Sequence, residues 1–316
     1  MSEKEAAPFK TKVLAVGGYA LCSSMLLVIN KLAVRHFPVH NVVGAVQLAF
    51  TALFVEVARQ LGYAKVERFS MERIRPFFVY NAAFAGGIYT NMKAVDHVSV
   101  GAVIAAKSCL PIFVCFVEHP VLGRQLPNTR SCFALAGVLV TAILYALYDR
   151  TLQVKGVTGL FWLFAWFCLL AFQMVYGKFI TEAHSSMSNW ENVLYNNLFG
   201  MPWMFLFFIM SREPYYLIHH LSITNMALLW VSLSCVVAVG ISYTGWLARS
   251  CVSASTYSLV GVLNKIVTVA ANGFIYPGET GTVGILALLC CIVFGVFYED
   301  PPKQTPRKSS SADSEA

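Results

Sequence analysis

The sequence predicts an all-α membrane protein whose ten transmembrane helices form two inverted five-helix repeats. Three observations carry that expectation. The 316-residue chain is 57% hydrophobic and only 12% charged, with a mean hydropathy of +0.63, more apolar than ordinary soluble domains. Its apolar residues gather into ten segments near the ~20 residues that a helix needs to cross a bilayer. Those segments divide five and five, and an odd number of spans in each half makes the second half run opposite to the first.

The segments follow in order. The first, 13–35, comes after a polar, charged start, with no small-residue cleavage site behind it, so it is a retained helix and not a removed leader. It carries Asn30-Lys31 near its end, where Lys31 can snorkel to an interface. Segment two covers 39–61 and is followed by a basic loop, Gly62–Arg75. Segments three and four cover 76–97 and 99–122, the latter holding Lys107. A short break at Arg124–Arg130 leads to 130–148 and 156–181. After Ala183–Ser188 come 189–211, 223–248, 250–277 and 279–298. Residues 1–12 read as a cytosolic N-terminal segment, 13–298 as the ten-helix domain and 299–316, rich in Pro, Ser and Lys, as a disordered cytosolic tail.

Charge sets the orientation. Of the 23 lysines and arginines, fifteen fall on the side of the termini, Lys178 and Arg249 among them; five fall on the other side and three inside spans, Lys31, Lys107 and Lys265. Positive residues stay cytosolic, so both termini should be cytosolic. The net charge of +7 reflects this bias and implies no nucleic acid. Nine cysteines, most of them inside spans, behave as small hydrophobes. No spacing suggests a metal, a disulfide framework or an N-glycosylation sequon. Paired catalytic carboxylates and an activated nucleophile are missing too, so neither an enzyme nor a cofactor is expected.

The chemistry concentrates in Thr256-Tyr-Ser-Leu-Val-Gly-Val-Leu-Asn-Lys265. A lysine at that depth costs ~3 kcal/mol or more even on lenient insertion scales, so it faces the protein interior and marks a path for an anion. Asn264 beside it adds a hydrogen-bonding neighbour. Gly261, four residues earlier, opens a gap on the same helix face. Tyr257, four earlier again, adds a stacking surface. Lys107 lies 158 residues before Lys265, half the chain. At ~1.5 Å per residue the two stand at ~12 Å and ~22 Å from opposite ends of their spans, both just beyond the midplane of a ~30 Å core. Two cations at one depth could clamp a diphosphate; a chance coincidence stays open.

Leu194-Tyr195-Asn196-Asn197 sits early in segment seven. Adjacent asparagines in an apolar span are costly unless bonded. They could read a base edge or simply join two helices. Ser242, taken alone, reads as a packing hydroxyl, and Tyr19 as either a cavity or an interface aromatic. His219-His220 lies in a loop. The tryptophans at 162, 166, 190, 203 and 230 read as packing and interface anchors.

Together, Leu194-Tyr-Asn-Asn197 and Gly261-Val-Leu-Asn-Lys265 resemble the paired FYNN and GALNK motifs of Golgi GDP-sugar transporters of the GDP-mannose type. These belong to the nucleotide-sugar branch of the drug/metabolite transporter superfamily. Gly18–Ser24, Ile29-Asn-Lys31, Gly123–Pro127 and Ile241-Ser-Tyr243 also match, so the resemblance covers nearly all ten spans. It implies that Asn196 and Asn197 read guanine and ribose with help from Ser242. Tyr257 and Gly261 would lie beside the sugar, Lys265 would face phosphate, and Tyr19 would be a cavity tyrosine. The partners it implies are a GDP-sugar, GMP, the lipid bilayer and a second copy of the chain in a homodimer. Two departures stand out: Leu194 replaces the family Phe, and Val262 replaces the Ala of GALNK. Leu194 and Gly18–Ser24 also resemble plant-type carriers, including those for GDP-fucose. A phosphate translocator of the triose-phosphate type shares the fold but leaves the asparagine pair without a task.

Overall fold

The computed structural model describes residues 8–67, 70–98, 100–148, 156–219, 224–275 and 282–301. The described residues are helical, with no strand among the elements. In chain order the helices are α1 (Phe9–His36), α2 (His40–Gln60), α3 (Met71–His97), α4 (Val100–Leu122), α5 (Thr129–Tyr148), α6 (Gly156–Ala183), α7 (Asn189–Met210), α8 (Glu213–His219), α9 (Asn225–Cys251), α10 (Ala254–Ile275) and α11 (Thr282–Val296). Each of the ten expected segments overlaps one long helix. The short α8 was not foreseen, because seven residues are far too few to span and leave no apolar signature. The 302–316 part of the expected tail, His220, and residues 1–7 of the expected N-terminal segment lie outside the described residues.

Seven helices are long and apolar enough to cross a membrane among the described residues: α1, α2, most of α4, α5, α6, α7 and α9. Polar residues thin the apolar character of α3, which carries Glu72, Arg73, Arg75, Asn81, Lys93 and Asp96. The apolar stretch described in α11, Leu286–Val296, is short. Inside a bilayer every backbone polar group must be satisfied within the protein, which helices do by themselves.

Local signals set the helix ends. Ser188 accepts from the Glu191 amide at 3.1 Å and caps α7; Thr224 does the same for α9 through Ala227. Such side chains satisfy the orphan donors of a first turn. Gly123, at φ +60, turns the chain out of α4. The start of α10 is capped from a distance. Glu118 of α4 accepts from the amides of Ala254 and Ser255 at 2.8 and 3.1 Å, and Asp300 accepts from Ser253 N at 3.1 Å.

The helices pack in pairs: α1 on α9, α3 on α6, α2 on α7, α5 on α11 and α4 on α10. One core cluster joins α4, α5, α10 and α11 around Val138, Val262 and Leu288. A second joins α2, α3, α6, α7 and α9 around Phe77, Tyr195 and Trp246. The end of the bundle nearest the chain termini is tied by ion pairs. Arg73 meets Glu191 at 3.0 Å, Arg124 meets Glu182 at 3.1 Å and Lys178 meets Glu182 at 3.6 Å.

Candidate functional site

A cavity of about 240 Å³ opens between α1, α2, α3, α7 and α9. Asn196, Asn197 and Gly200 of α7, Ser242 of α9, Gln47 of α2 and Asn81 of α3 line it, with Leu26, Leu48, Phe84, Ala238 and Ile241 as its apolar wall. Drug-sized ligands occupy ~300–1,000 Å³, so this volume suits one part of a larger molecule. Asn197 is fully buried and its Nδ2 donates to Val193 O at 2.7 Å. Asn196 Oδ1 is buried with no hydrogen-bond partner among the described residues. A buried acceptor in that condition is unfavourable by ~1–3 kcal/mol, a penalty that a ligand donor removes. Gly200 keeps the cavity open: a Cβ there would stand 3.1 Å from Leu48 Cδ1.

The structure thus brings Asn196, Asn197 and Ser242 together. Tyr195 points the other way. It is 1% exposed and packs edge-on to Phe77 at 5.7 Å, inside the second core cluster. Adjacent helical residues diverge by about 100°, so neighbours of a cavity-lining asparagine need not line it themselves.

A second group lies toward the end of the bundle that holds the termini. Tyr19 of α1 and Tyr257 of α10 face each other with ring centroids 4.9 Å apart. The Arg249 guanidinium of α9 stands over the Tyr257 ring at 4.2 Å, with Tyr80 and Trp246 at 5.6 and 5.7 Å. Its Nη1 donates to Gln173 O on α6 at 3.3 Å. Gly177 of α6 admits it, since any Cβ there would collide with the guanidinium. Lys178 donates to Arg249 O at 2.8 Å. From Leu26 to Tyr19 along α1, and from Ser242 to Arg249 along α9, the step is seven residues, or ~10 Å on one helix face. The aromatic cage therefore lies beyond the cavity on the side of the termini.

On α10, one turn beyond Tyr257, Gly261 faces open space: an added Cβ would meet nothing within 4 Å. Lys107 of α4 donates to Gly261 O at 3.3 Å, so the lysine expected to share the site with α10 reaches that helix. Asn264 is half-buried on the next turn. Lys265 lies on α10, but its side chain is outside the described residues.

Three contributors were not singled out from sequence. Gln47 and Asn81 carried the same signal as the asparagine pair, an amide inside an apolar stretch. Arg249 was counted with the charges on the side of the termini because it lies at a segment end. It does lie toward that end, as Lys178 does, but the two are 7% and 3% exposed and lie within the helix packing rather than in a loop.

No family model matches the chain. Relatives do. GDP-fucose transporter 1 of Arabidopsis thaliana is 30% identical, over 94% of this chain and 89% of the relative. The chain belongs to the GDP-sugar transporter family. Other members it resembles are GDP-mannose transporter GONST3 of Arabidopsis thaliana, 26% identical over 93% of this chain and 80% of the relative, and GDP-mannose transporter 1 of Saccharomyces cerevisiae (strain YJM789), 24% identical over 90% and 89%. A solved crystal structure shares the fold at 12% identity, with a TM-score of 0.65 over 91% of this chain and 96% of that one.

Proposed function

We propose that the protein is an antiporter that carries a GDP-sugar, GDP-mannose foremost, from the cytosol into the Golgi lumen and returns GMP. The observation that carries this is the amide-lined cavity with Asn196 Oδ1 buried and unbonded inside it. A base rich in N–H groups supplies what that oxygen lacks. Lys107, which reaches Gly261 O, and Lys265 on the same helix as Gly261 would receive the phosphates, with the sugar beside Gly261 and Tyr257.

Exchange follows from charge. A phosphate monoester such as GMP, with its second pKa near ~6, carries roughly two negative charges, as a GDP-sugar does. Burying either anion without cations is prohibitive. The carrier crosses loaded in both directions, and the swap is electrically balanced.

The helix pairings support two inverted repeats of five spans. Exchanging each long helix for its counterpart in the other half turns the α1–α9 pair into α6–α3, and maps α2–α7, α4–α10 and α5–α11 onto themselves; all of these pairs pack. Rocking of such halves around a midplane site is the motion expected. With both termini cytosolic, the cage around Arg249 supports a state closed to the cytosol and open to the lumen.

GDP-fucose is the second reading, favoured by the 30% identity to a relative named for it against 26% to GONST3. Proteoliposomes preloaded with GMP separate the cases. Uptake of GDP-mannose or GDP-fucose that depends on internal GMP, with no UDP-sugar uptake, is the expected result, and the ratio of the two names the sugar. Absent GDP-sugar uptake, with exchange inhibited by triose phosphates, would replace the proposal with a phosphate translocator.

A further inference from the structure

The cavity assigned to the base holds two amides from the first half of the chain, Gln47 and Asn81, 8% and 2% exposed. Ser234 Oγ donates to Val231 O at 2.6 Å. Its proton is therefore spent, and toward Gln47, whose Nε2 stands 2.9 Å away, it can only accept. The other N–H of that amide goes to Asn30 Oδ1 at 2.8 Å. Gln47 is thus oriented with both donors used, and the polar atom left to it is the carbonyl Oε1.

Asn81 commits one of its two amide hydrogens in a similar way. Its Nδ2 donates to Phe77 O at 2.9 Å on its own helix. Its Oδ1 lies 3.4 Å from where a Cβ on Gly200 would stand, and Gly200 also lines the cavity. Asn197 also turns its nitrogen back on its own helix, and Asn196 Oδ1 has no partner. Gln47 Oε1, Asn81 Oδ1 and Asn196 Oδ1 thus remain as acceptors for a ligand, beside the Asn196 amide N–H groups and the Ser242 hydroxyl.

We infer that Gln47 and Asn81 are specificity-determining residues, accepting from the N1–H and 2-amino groups of guanine on a face completed by Asn196 and Asn197. The inference rests on the proposed assignment of this cavity to the base. Guanine places a ring N–H next to an exocyclic amine on one edge. Uracil flanks its N–H with two carbonyls, and adenine and cytosine present a bare ring nitrogen. Against the Gln47 and Asn81 carbonyls each of these sets oxygen or a lone pair against oxygen, so rejection accompanies recognition.

The test uses the full-length chain in proteoliposomes loaded with GMP. Uptake of labelled IMP is competed with GMP, IMP and UMP. Hypoxanthine keeps N1–H and O6 and lacks only the 2-amino group. In the wild type GMP should compete about ten-fold better than IMP, because a buried acceptor left unpaired discriminates strongly, and UMP should be weaker than both. In Asn81→Leu and Gln47→Met the advantage of GMP over IMP should collapse toward unity while IMP uptake continues, which also shows that the variants are folded. Variants that keep the full GMP/IMP ratio would overturn the inference, as would a wild type that treats GMP and IMP alike, whatever the variants do. A wild type that fails to prefer GMP over UMP would instead defeat the assignment of the cavity to a guanine base.

Discussion

The Arg249 guanidinium stands over Tyr257, 4.2 Å from the ring centroid, and donates across to Gln173 O on α6. One side chain thereby links α9, α10 and α6 between the cavity and the terminal end of the bundle. A desolvated cation over an aromatic ring is worth ~2 kcal/mol. Arg249→Ala should lower the thermal midpoint of the detergent-solubilised protein and reduce GMP-driven uptake at least several-fold. Arg249→Lys should recover part of the stability but lack the planar fork that spans ring and carbonyl. Unchanged uptake and unchanged midpoint in the alanine variant would remove Arg249 from both roles.

Lys265→Ala should abolish exchange while leaving a folded protein. Lys107→Ala should weaken it, because Lys107 also holds Gly261 O. In both variants inhibition by uncharged guanosine should persist, since the cavity proposed for the base lies elsewhere. Competition binding with guanosine and GMP checks this: loss of the GMP preference alone is expected, and equal loss of both ligands would mean that the lysines support the fold rather than the phosphates.

Gly200→Ala separates stability from transport. Replacing a mid-helix glycine with alanine stabilises a helix by roughly 0.5–1 kcal/mol. The new methyl would stand 3.1 Å from Leu48 Cδ1 and 3.4 Å from Asn81 Oδ1, inside the cavity. The thermal midpoint should hold or rise while the KM for GDP-sugar rises about ten-fold. A fall in stability with normal KM would place that methyl outside the ligand's path.

Glu118→Ala should be the most destabilising of these changes. The carboxylate is 1% exposed, accepts from two backbone amides and lies 3.7 Å from Arg124 Nε. Removing one member of a buried charged set typically costs about 3–5 kcal/mol. The thermal midpoint should drop sharply, and Glu118→Gln, which keeps one acceptor, should fall between.

Much of this was legible in the residues. The long helices among the described residues were readable because a bilayer demands long apolar runs, and the asparagine pair because two amides in such a run need a partner. Tyr195 shows the limit. It belongs to the same four-residue motif, yet it packs against Phe77, because a motif gives spacing but not the helix rotation that decides which side chains meet the cavity. Arg249 shows another. A cation near a segment end looks like a loop charge until the small side of Gly177 and the rings of Tyr80, Trp246 and Tyr257 are seen to accommodate it. Gln47 and Asn81 carried a readable signal, but only packing shows that α2 and α3 set them opposite α7.

Because Glu118 grips the first amides of α10 from α4, those two helices are stitched along one edge, like leaves bound at a spine. Turning them apart at that edge would strand a carboxylate in a dry place. At the side of α9, by contrast, α3 and α6 meet it through Phe77 and Tyr80 against Trp246, the Arg249 guanidinium over its rings and the Lys178 amine on Arg249 O, mostly ring contacts that can slide. Opening toward the termini should thus proceed as a page turns, with the α4/α10 edge staying shut and the Arg249 margin lifting first.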